Sequence, residues 1–247
     1  MKYFLETSDT IVDGVGFDHF ELCHLLWLAA FVALAISVSI IYRRSSRKVR
    51  RHLQGAVAGL IVADEIFKMI MLTVGGNYTL SYLPLHLCSI NIILIAIHVF
   101  KPSKTLDNFL YSICIPAAIV ALLFPSWTKL PFLNFMHMHS FSVHILLALY
   151  PIMLTAGGDI KPRARYIPRC LALLLGMAIP LYFFNNKFGT NYMFLREAEP
   201  GNPLYIFEQA FGHHYWGFVV IIPVVLLVMF LPVELYHLYK NKKISAD

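Results

Sequence analysis

One stretch of this sequence places two reactive side chains inside an apolar run. It covers residues 81–91, SYLPLHLCSIN, and the run continues to about residue 100. A cysteine thiolate is a nucleophile, and histidine is its usual activating base. His86 and Cys88 are costly in lipid unless they face protein or water, so they predict a functional site. Pro84 disfavours helix at the residue before it, which places His86 near an irregular helix start.

We predict that His144 is the base that activates Cys88. Cys88 lies roughly 5 residues, or ~8 Å, below the start of its segment. His144 lies at nearly the same depth in a later segment that runs in the same direction. His139 is the alternative base or a substrate contact, and Cys23 is a rival nucleophile that ranks below Cys88. The ordinary interpretation of such a cysteine is a small buried apolar residue.

The composition is that of an integral membrane protein. Of 247 residues, 58% are hydrophobic and only 14% are charged, against about a quarter charged in soluble domains. The formal charge of +6 is spread over short loops, so it does not indicate nucleic-acid binding. Four cysteines without a CxxC pair indicate neither a disulfide framework nor a structural zinc site. The acidic start, residues 1–18, lacks the basic region of a cleavable signal peptide.

Apolar stretches of about 20 residues predict the fold class, an all-α polytopic membrane protein of seven transmembrane helices. We expect residues 1–247 to form a single membrane domain without an internal repeat. The predicted spans are 20–42, 53–74, 82–100, 109–124, 138–156, 170–184 and 216–236.

Lys and Arg in the loops predict the orientation. Fifteen of the 20 basic residues lie on one side of the alternating spans, and four lie on the other. This bias predicts an N-terminus outside and a cytoplasmic C-terminus. Eight of the 11 histidines then collect near the outer face. They are His19, His24, His86, His137, His139, His144, His213 and His214.

Two further features of the sequence predict functional residues, one at mid-depth in the membrane and one at the outer face. Glu65 and Lys68 are three residues apart in the second span and can pair on one helix face. The long outer loop 187–212 is rich in Asn, Gly and Pro, and loops of this length are usually functional.

Five sets of residues together form a recognisable pattern. They are Phe17-Asp18-His19-Phe20 with His24, Glu65, Leu83-Pro84-Leu85-His86-Leu87-Cys88-Ser89, His139 and His144, and Gly189-Thr190-Asn191-Tyr192-Met193. In these residues the sequence resembles the YwaF family of bacterial integral membrane proteins and, more distantly, the eukaryotic transmembrane protein 164 acyltransferase family. Lys68 departs from the pattern, where an aromatic or apolar residue is expected.

The resemblance implies acyl transfer between membrane phospholipids in a bacterial cell membrane. In the eukaryotic relative a cysteine accepts the acyl chain, and that cysteine corresponds to Cys88. We expect catalysis by Cys88 with His144 or His139, without a cofactor, because the acyl donor is itself a lipid. The candidate substrate, oxyanion or phosphate contacts are His86, Asn191, Tyr192, His24, His19 and Glu65.

Two alternatives remain open at this point. Three histidines with a free fourth position can hold a catalytic zinc ion, and His86, His139 and His144 would be that set in a lipid hydrolase. A buried pair such as Glu65 and Lys68 can also belong to a proton relay in a small transporter or a lipid-binding membrane protein.

Overall fold

The described part of the chain folds into helices connected by short loops. A computed structural model describes residues 2–199 and 202–244. Helix accounts for 73% of the chain, and the described residues contain no strand. The helices are α1 (Leu22–Arg44), α2 (Arg47–Val74), α3 (Leu87–Phe100), α4 (Lys104–Phe109), α5 (Ile115–Leu123), α6 (Phe135–Gly157), α7 (Ile167–Phe188), α8 (Pro203–Phe211) and α9 (Tyr215–Ile244).

Five helical segments in the described part of the chain are long and apolar enough to cross a membrane. They are α1, the continuous stretch Lys104–Leu123 that contains α4 and α5, α6, α7 and α9. The other two predicted spans are also helical, but they differ in character. α3 has only 14 residues, and α2 has 28 but carries Asp64, Glu65 and Lys68 in its second half. Each of the seven predicted spans therefore contains a helix, and five of the seven meet the criteria of length and apolarity. The short helix α8 lies in the predicted loop 187–212.

The predicted third span, 82–100, begins too early. Its helix starts at Leu87, after a short 3-10 turn at Leu80–Tyr82 and the non-helical bend and turn residues 83–86. The cause is Pro84, which forces the residue before it out of the helical region. Leu83 accordingly has φ −56° and ψ 148°, and His86 is extended at φ −66° and ψ 154°. Cys88 therefore lies in the first turn of α3 rather than one turn or more inside the helix.

α6 is the central helix of the bundle. In its most apolar stretch 67% of the residues are buried, against 6% in α1 and 11% in α9. α1, α2 and α5 pack around it, and its buried residues include Val143, Leu147 and Tyr150. Helices such as α1 and α9 leave most of their apolar side chains exposed, as a surface in contact with lipid does. Chemistry carried by α6 consequently lies in the interior.

Hydrogen bonds at one end of the bundle fix the register of α6. The hydroxyl of Tyr42 donates to Asp159 Oδ2 at 2.6 Å and accepts from the side-chain amide of Gln54 at 2.6 Å. Arg50 donates to the Gly157 carbonyl at 2.9 Å. These bonds tie the ends of α1 and α6 and the start of α2 together. α6 cannot slide along its neighbours without breaking them.

Asn134 anchors the opposite end. Its side-chain oxygen caps α6 by accepting from the N–H groups of Met136 and His137 at 2.9 and 3.2 Å. Its amide nitrogen donates to the carbonyls of Tyr3 and Glu6 at 2.8 and 2.7 Å. One fully buried side chain thus starts the central helix and holds the N-terminal segment over it.

Replacing Asn134 by alanine should lower the free energy of unfolding by about 2–3 kcal/mol. The variant loses a helix cap and leaves the carbonyls of two half-buried residues without a donor. Thermal unfolding of the purified protein measures the change. Asn186→Ala is the matched control, because Asn186 is exposed and bonds only within its own helix. Equal unfolding midpoints for the two variants would contradict the role of Asn134.

Candidate functional site

Cys88 and His144 form a close thiol–imidazole pair. Cys88 Sγ lies 3.0 Å from His144 Nε2, which joins the first turn of α3 to the middle of α6. His144 Nδ1 lies 2.6 Å from the Ser140 carbonyl, one turn earlier in α6. Because a carbonyl only accepts, Nδ1 carries a proton in this contact and a neutral ring presents Nε2 to the thiol as an acceptor. The ring is thus oriented as a base for Cys88.

The start of α3 offers free backbone donors beside the thiol. The N–H of Ile90 bonds to the His86 carbonyl at 2.9 Å and closes the first turn. The N–H groups of Leu87, Cys88 and Ser89 have no acceptor on another residue of the described chain, as expected for the first turn of a helix. These groups and the helix dipole favour negative charge at this position.

A charged cluster of α2 and α6 lies beside this helix start. Lys68 Nζ donates to Glu65 Oε1 at 2.5 Å, and the Ser89 hydroxyl lies 3.4 Å from the same oxygen. His139 lies between two carboxylates, with Nδ1 3.2 Å from Asp64 Oδ2 and Nε2 3.8 Å from Glu65 Oε2. The predicted pairing of Glu65 with Lys68 is therefore present. Ser89 connects the pair to the helix that carries Cys88.

The structure distinguishes the two histidines that the sequence left as alternative bases. His144 contacts Cys88, whereas the ring nitrogens of His139 face the carboxylates of α2. The two residues are five apart in α6 and so point in different directions. His139 belongs to the charged cluster and has no contact with the thiol among the described hydrogen bonds.

Aromatic side chains of the loop 187–212 lie against His86. The His86 ring lies edge-on to Tyr192, with centroids 5.0 Å apart, and 6.2 Å from the ring of Phe194. The Tyr192 hydroxyl donates to the Leu80 carbonyl, which joins the loop to the segment before α3. Burial raises the pKa of the Tyr192 phenol above its ordinary value. The hydroxyl therefore stays protonated and keeps this bond at neutral pH.

Asn185, which sequence reasoning missed, fixes Tyr192 in place. Its side-chain oxygen accepts from the Tyr192 N–H at 3.0 Å and the Thr190 hydroxyl at 2.8 Å. Its amide donates to the Tyr192 carbonyl at 2.9 Å. Asn191 uses its own amide inside the loop, on the backbone of Arg196 and Glu197. Of the two predicted loop contacts, Tyr192 is placed against His86, and Asn191 organises the loop itself.

The predicted contacts in and before the first span are placed differently. His19 is exposed. His24 is fully buried, where Nδ1 accepts from the Phe20 N–H at 2.9 Å and Nε2 lies 2.7 Å from the Leu122 carbonyl. Both nitrogens of His24 are thus occupied by backbone groups. This side chain anchors α1 to the end of α5, and the structure does not bring it to Cys88.

Cys23 also has a histidine neighbour, but that imidazole is already occupied. Cys23 Sγ lies 3.9 Å from His137 Nε2, which accepts from the Trp27 indole N–H at 3.0 Å. The other nitrogen, Nδ1, lies 3.0 Å from the Leu130 carbonyl. His137 therefore has no free nitrogen to act as a base for Cys23. The ranking of Cys88 above its rival agrees with this difference.

The alternative metal set is not assembled. No group of three or more His, Cys, Asp or Glu side chains in the described part of the chain is placed to hold a metal ion. Both ring nitrogens of His144 have other neighbours, and His139 faces carboxylates on α2. The imidazoles of His86, His139 and His144 do not converge on one point.

Two residues beside the pair carried no sequence signal. The Trp127 indole, from the loop between α5 and α6, stacks on His144 with centroids 5.2 Å apart and planes 12° apart. Asn91 follows Cys88 by three residues on α3 and is 1% exposed. A lone tryptophan in a loop and a lone asparagine in an apolar helix are each compatible with many roles. Only the packing of α3, α6 and the loop between α5 and α6 brings them beside Cys88 and His144.

Replacing His144 by glutamine should slow alkylation of Cys88 by iodoacetamide at least about tenfold, because the thiol loses its base. Peptide mapping by mass spectrometry measures each cysteine separately. Cys23 in the same molecule is the internal control, and its rate should not change. Equal Cys88 rates in the wild type and the variant would contradict the assignment of His144 as the base.

Comparison with known proteins identifies the family. The family model described as "TMEM164 family" matches residues 17–233, from the segment before α1 to well inside α9. Neither the curated proteins nor the solved structures gave a match. The matched range contains α3, α6 and the outer loop, and with them Cys88, His144 and Tyr192. Since this model covers most of the sequence, the chain belongs to the TMEM164 family.

Proposed function

We propose that this protein is a membrane-embedded lipid acyltransferase in which Cys88 is the nucleophile and His144 is the base. The observation that carries the proposal is the 3.0 Å contact between Cys88 Sγ and His144 Nε2, with Nδ1 held by the Ser140 carbonyl. A nucleophile, a base and a third group that orients the base are the common parts of covalent acyl transfer.

In the first half of the reaction, Cys88 takes an acyl chain from a phospholipid. His144 Nε2 accepts the thiol proton while Sγ attacks the ester carbonyl. The tetrahedral oxyanion develops next to the start of α3, where the free N–H groups of the first turn favour negative charge. The ester bond then breaks, the leaving lipid oxygen takes the proton from His144, and an acyl thioester remains on Cys88.

In the second half, a lipid hydroxyl takes the chain from the thioester. His144 accepts the hydroxyl proton as the oxygen attacks, and returns it to the thiolate as the thioester breaks. Donor and acceptor are both membrane phospholipids in this scheme, so it needs no cofactor. The apolar surfaces of α1, α7 and α9 suit substrates that arrive through the bilayer.

We also propose the topology that the charge bias predicts. The protein crosses the membrane seven times, and α2 and α3 are two of these crossings. α2 is long but carries charged residues, and α3 is apolar but short. The N-terminus is then outside and the C-terminus is cytoplasmic. Cys88, at the outer end of α3, then lies near the outer leaflet, on the side of the membrane where acyl-CoA is absent. The motifs around Cys88 and Asn191 support placement in the bacterial YwaF branch and in a cell membrane.

The charged cluster favours a second candidate, a proton-coupled transporter or lipid-binding protein. Glu65 and Lys68 are 8% and 7% exposed and pair directly, and His139 lies against Glu65 and Asp64. Buried ionisable groups in a membrane segment often form proton relays. This candidate assigns the central role to Glu65 and none to Cys88.

An acyl-enzyme should be detectable on the wild-type protein. Intact-protein mass spectrometry after purification from native lipid should show a fatty-acyl adduct that hydroxylamine removes, because hydroxylamine cleaves thioesters. The adduct should be absent from Cys88→Ala and present in the control Cys23→Ala. If Cys88→Ser, folded in membranes, leaves lipid acyl remodelling unchanged, the proposed function is wrong.

Two substitutions separate the two candidates. In proteoliposomes with a labelled phospholipid, Cys88→Ala should abolish acyl exchange. Glu65→Gln should lower exchange only partly, because Glu65 contacts α3 through Ser89 and not the thiol. The reverse order of sensitivity would favour the transporter. Both variants should be compared at equal amounts of folded protein.

A further inference from the structure

The indole nitrogen of Trp127 lacks a hydrogen-bond partner although it is buried. Trp127 is 8% exposed, and its Nε1 has no acceptor among the described residues. An unpaired buried donor lowers the stability of the fold unless a ligand satisfies it. The loop holds the residue firmly in place, since the Leu130 N–H bonds to the Trp127 carbonyl at 3.1 Å and the Phe17 N–H bonds to the Thr128 carbonyl at 2.8 Å. The unpaired donor is thus a fixed feature of the fold.

The position of this donor makes it relevant to catalysis. The indole lies nearly parallel to the His144 ring, with centroids 5.2 Å and planes 12° apart. It lies at 84° to the Phe141 ring, also with centroids 5.2 Å apart. His144 contacts Cys88 directly. The donor therefore belongs to a residue that packs on the base of the thiol.

Trp27 provides the contrast within the same protein. Its indole stacks on Phe141, with centroids 5.0 Å apart and planes 2° apart, but its N–H donates to His137 Nε2 at 3.0 Å. Two tryptophans thus contact one phenylalanine, and each lies beside a histidine. Only the one beside His144 keeps its N–H free among the described residues.

Building on the proposed function, we infer that Trp127 Nε1–H is an oxyanion donor for the acyl group that Cys88 attacks. An indole N–H donates and cannot accept, so its ligand must be an acceptor such as an ester oxygen. An ammonium headgroup has no acceptor and does not fit this donor. With the proposed function, the ligand class is the carbonyl of a fatty-acyl ester.

In the acylation of Cys88, one bond to the carbonyl carbon forms and another breaks. The sulfur–carbon bond forms as the thiol proton moves to His144 Nε2, and the carbonyl π electrons move onto oxygen. The oxyanion accepts from Trp127 Nε1–H together with the N–H groups at the start of α3. When the carbonyl re-forms, the bond to the alcohol oxygen breaks and that oxygen takes the proton from His144. Trp127 keeps its proton throughout.

Trp127→Phe tests the donor because it retains an aromatic ring over His144 and removes the N–H together with part of the indole ring, a packing loss that the control Trp27→Phe shares. Two probes are compared on Cys88 by peptide mapping. Iodoacetamide alkylates the thiol without forming an oxyanion, whereas a nitrophenyl ester of a fatty acid acylates it through one. In Trp127→Phe, alkylation should stay within about twofold of wild type, and acylation should fall at least about tenfold, since oxyanion donors act on that step alone.

Trp27→Phe is the matched control, and both rates should change equally in it if they change at all. An equal fall of alkylation and acylation in Trp127→Phe would show that the indole only supports packing and would overturn the donor. Unchanged acylation would overturn it too, as would a wild-type Cys88 that the ester does not acylate.

The same experiment separates this inference from the proposed function. If the ester result holds but natural phospholipids give no transfer that depends on Cys88, the donor stands and the lipid acyltransferase does not. Thermal unfolding of each variant confirms that equal amounts of folded protein are compared.

Discussion

The hydrogen bond between Cys88 and His144 depends on where two helices begin. Pro84 delays α3, so that Cys88 falls in its first turn, next to free backbone donors. Asn134 starts α6, and the bonds of Tyr42 and Arg50 at the other end hold that helix in register. A shift of one residue in either helix would rotate its side chain by about 100° and separate the pair. The contact between the Cys88 thiol and the His144 imidazole therefore depends on how the ends of α3 and α6 are fixed.

The charged cluster extends this arrangement to α2. Glu65 pairs with Lys68 along its own helix and reaches Ser89 on α3 and His139 on α6. Such charges are expensive in a bilayer when isolated, and mutual pairing lowers that cost. The cluster connects three helices around the site while its charges remain paired with one another.

The sequence predicted the helices that lie in the seven apolar stretches, because hydropathy and helix length depend on local composition. Cys88 and His144 were matched by depth alone. The start of α3 was placed too early, since the apolar run continues through the non-helical residues 83–86, where only Pro84 signals the break. The positions of Trp127, Asn185 and His139 could not be predicted, because they depend on which faces of α2, α3, α6 and a loop meet. His24 and His137 show the same limit. Histidine is a residue type typical of functional sites, but these two contact backbone carbonyls and hold neighbouring segments in place.

The shortness of α3 has a consequence for the surrounding lipid. Fourteen residues of helix span ~21 Å, whereas the hydrocarbon core of a bilayer is ~30 Å thick. If α3 crosses the bilayer as the proposed topology requires, such a hydrophobic mismatch would thin the nearby bilayer or draw headgroups inward. The glycerol backbone of a neighbouring phospholipid would then be lowered toward the first turn of α3. In the proposed function, the membrane deformed by the protein would itself bring the ester bond to the depth of the thiol.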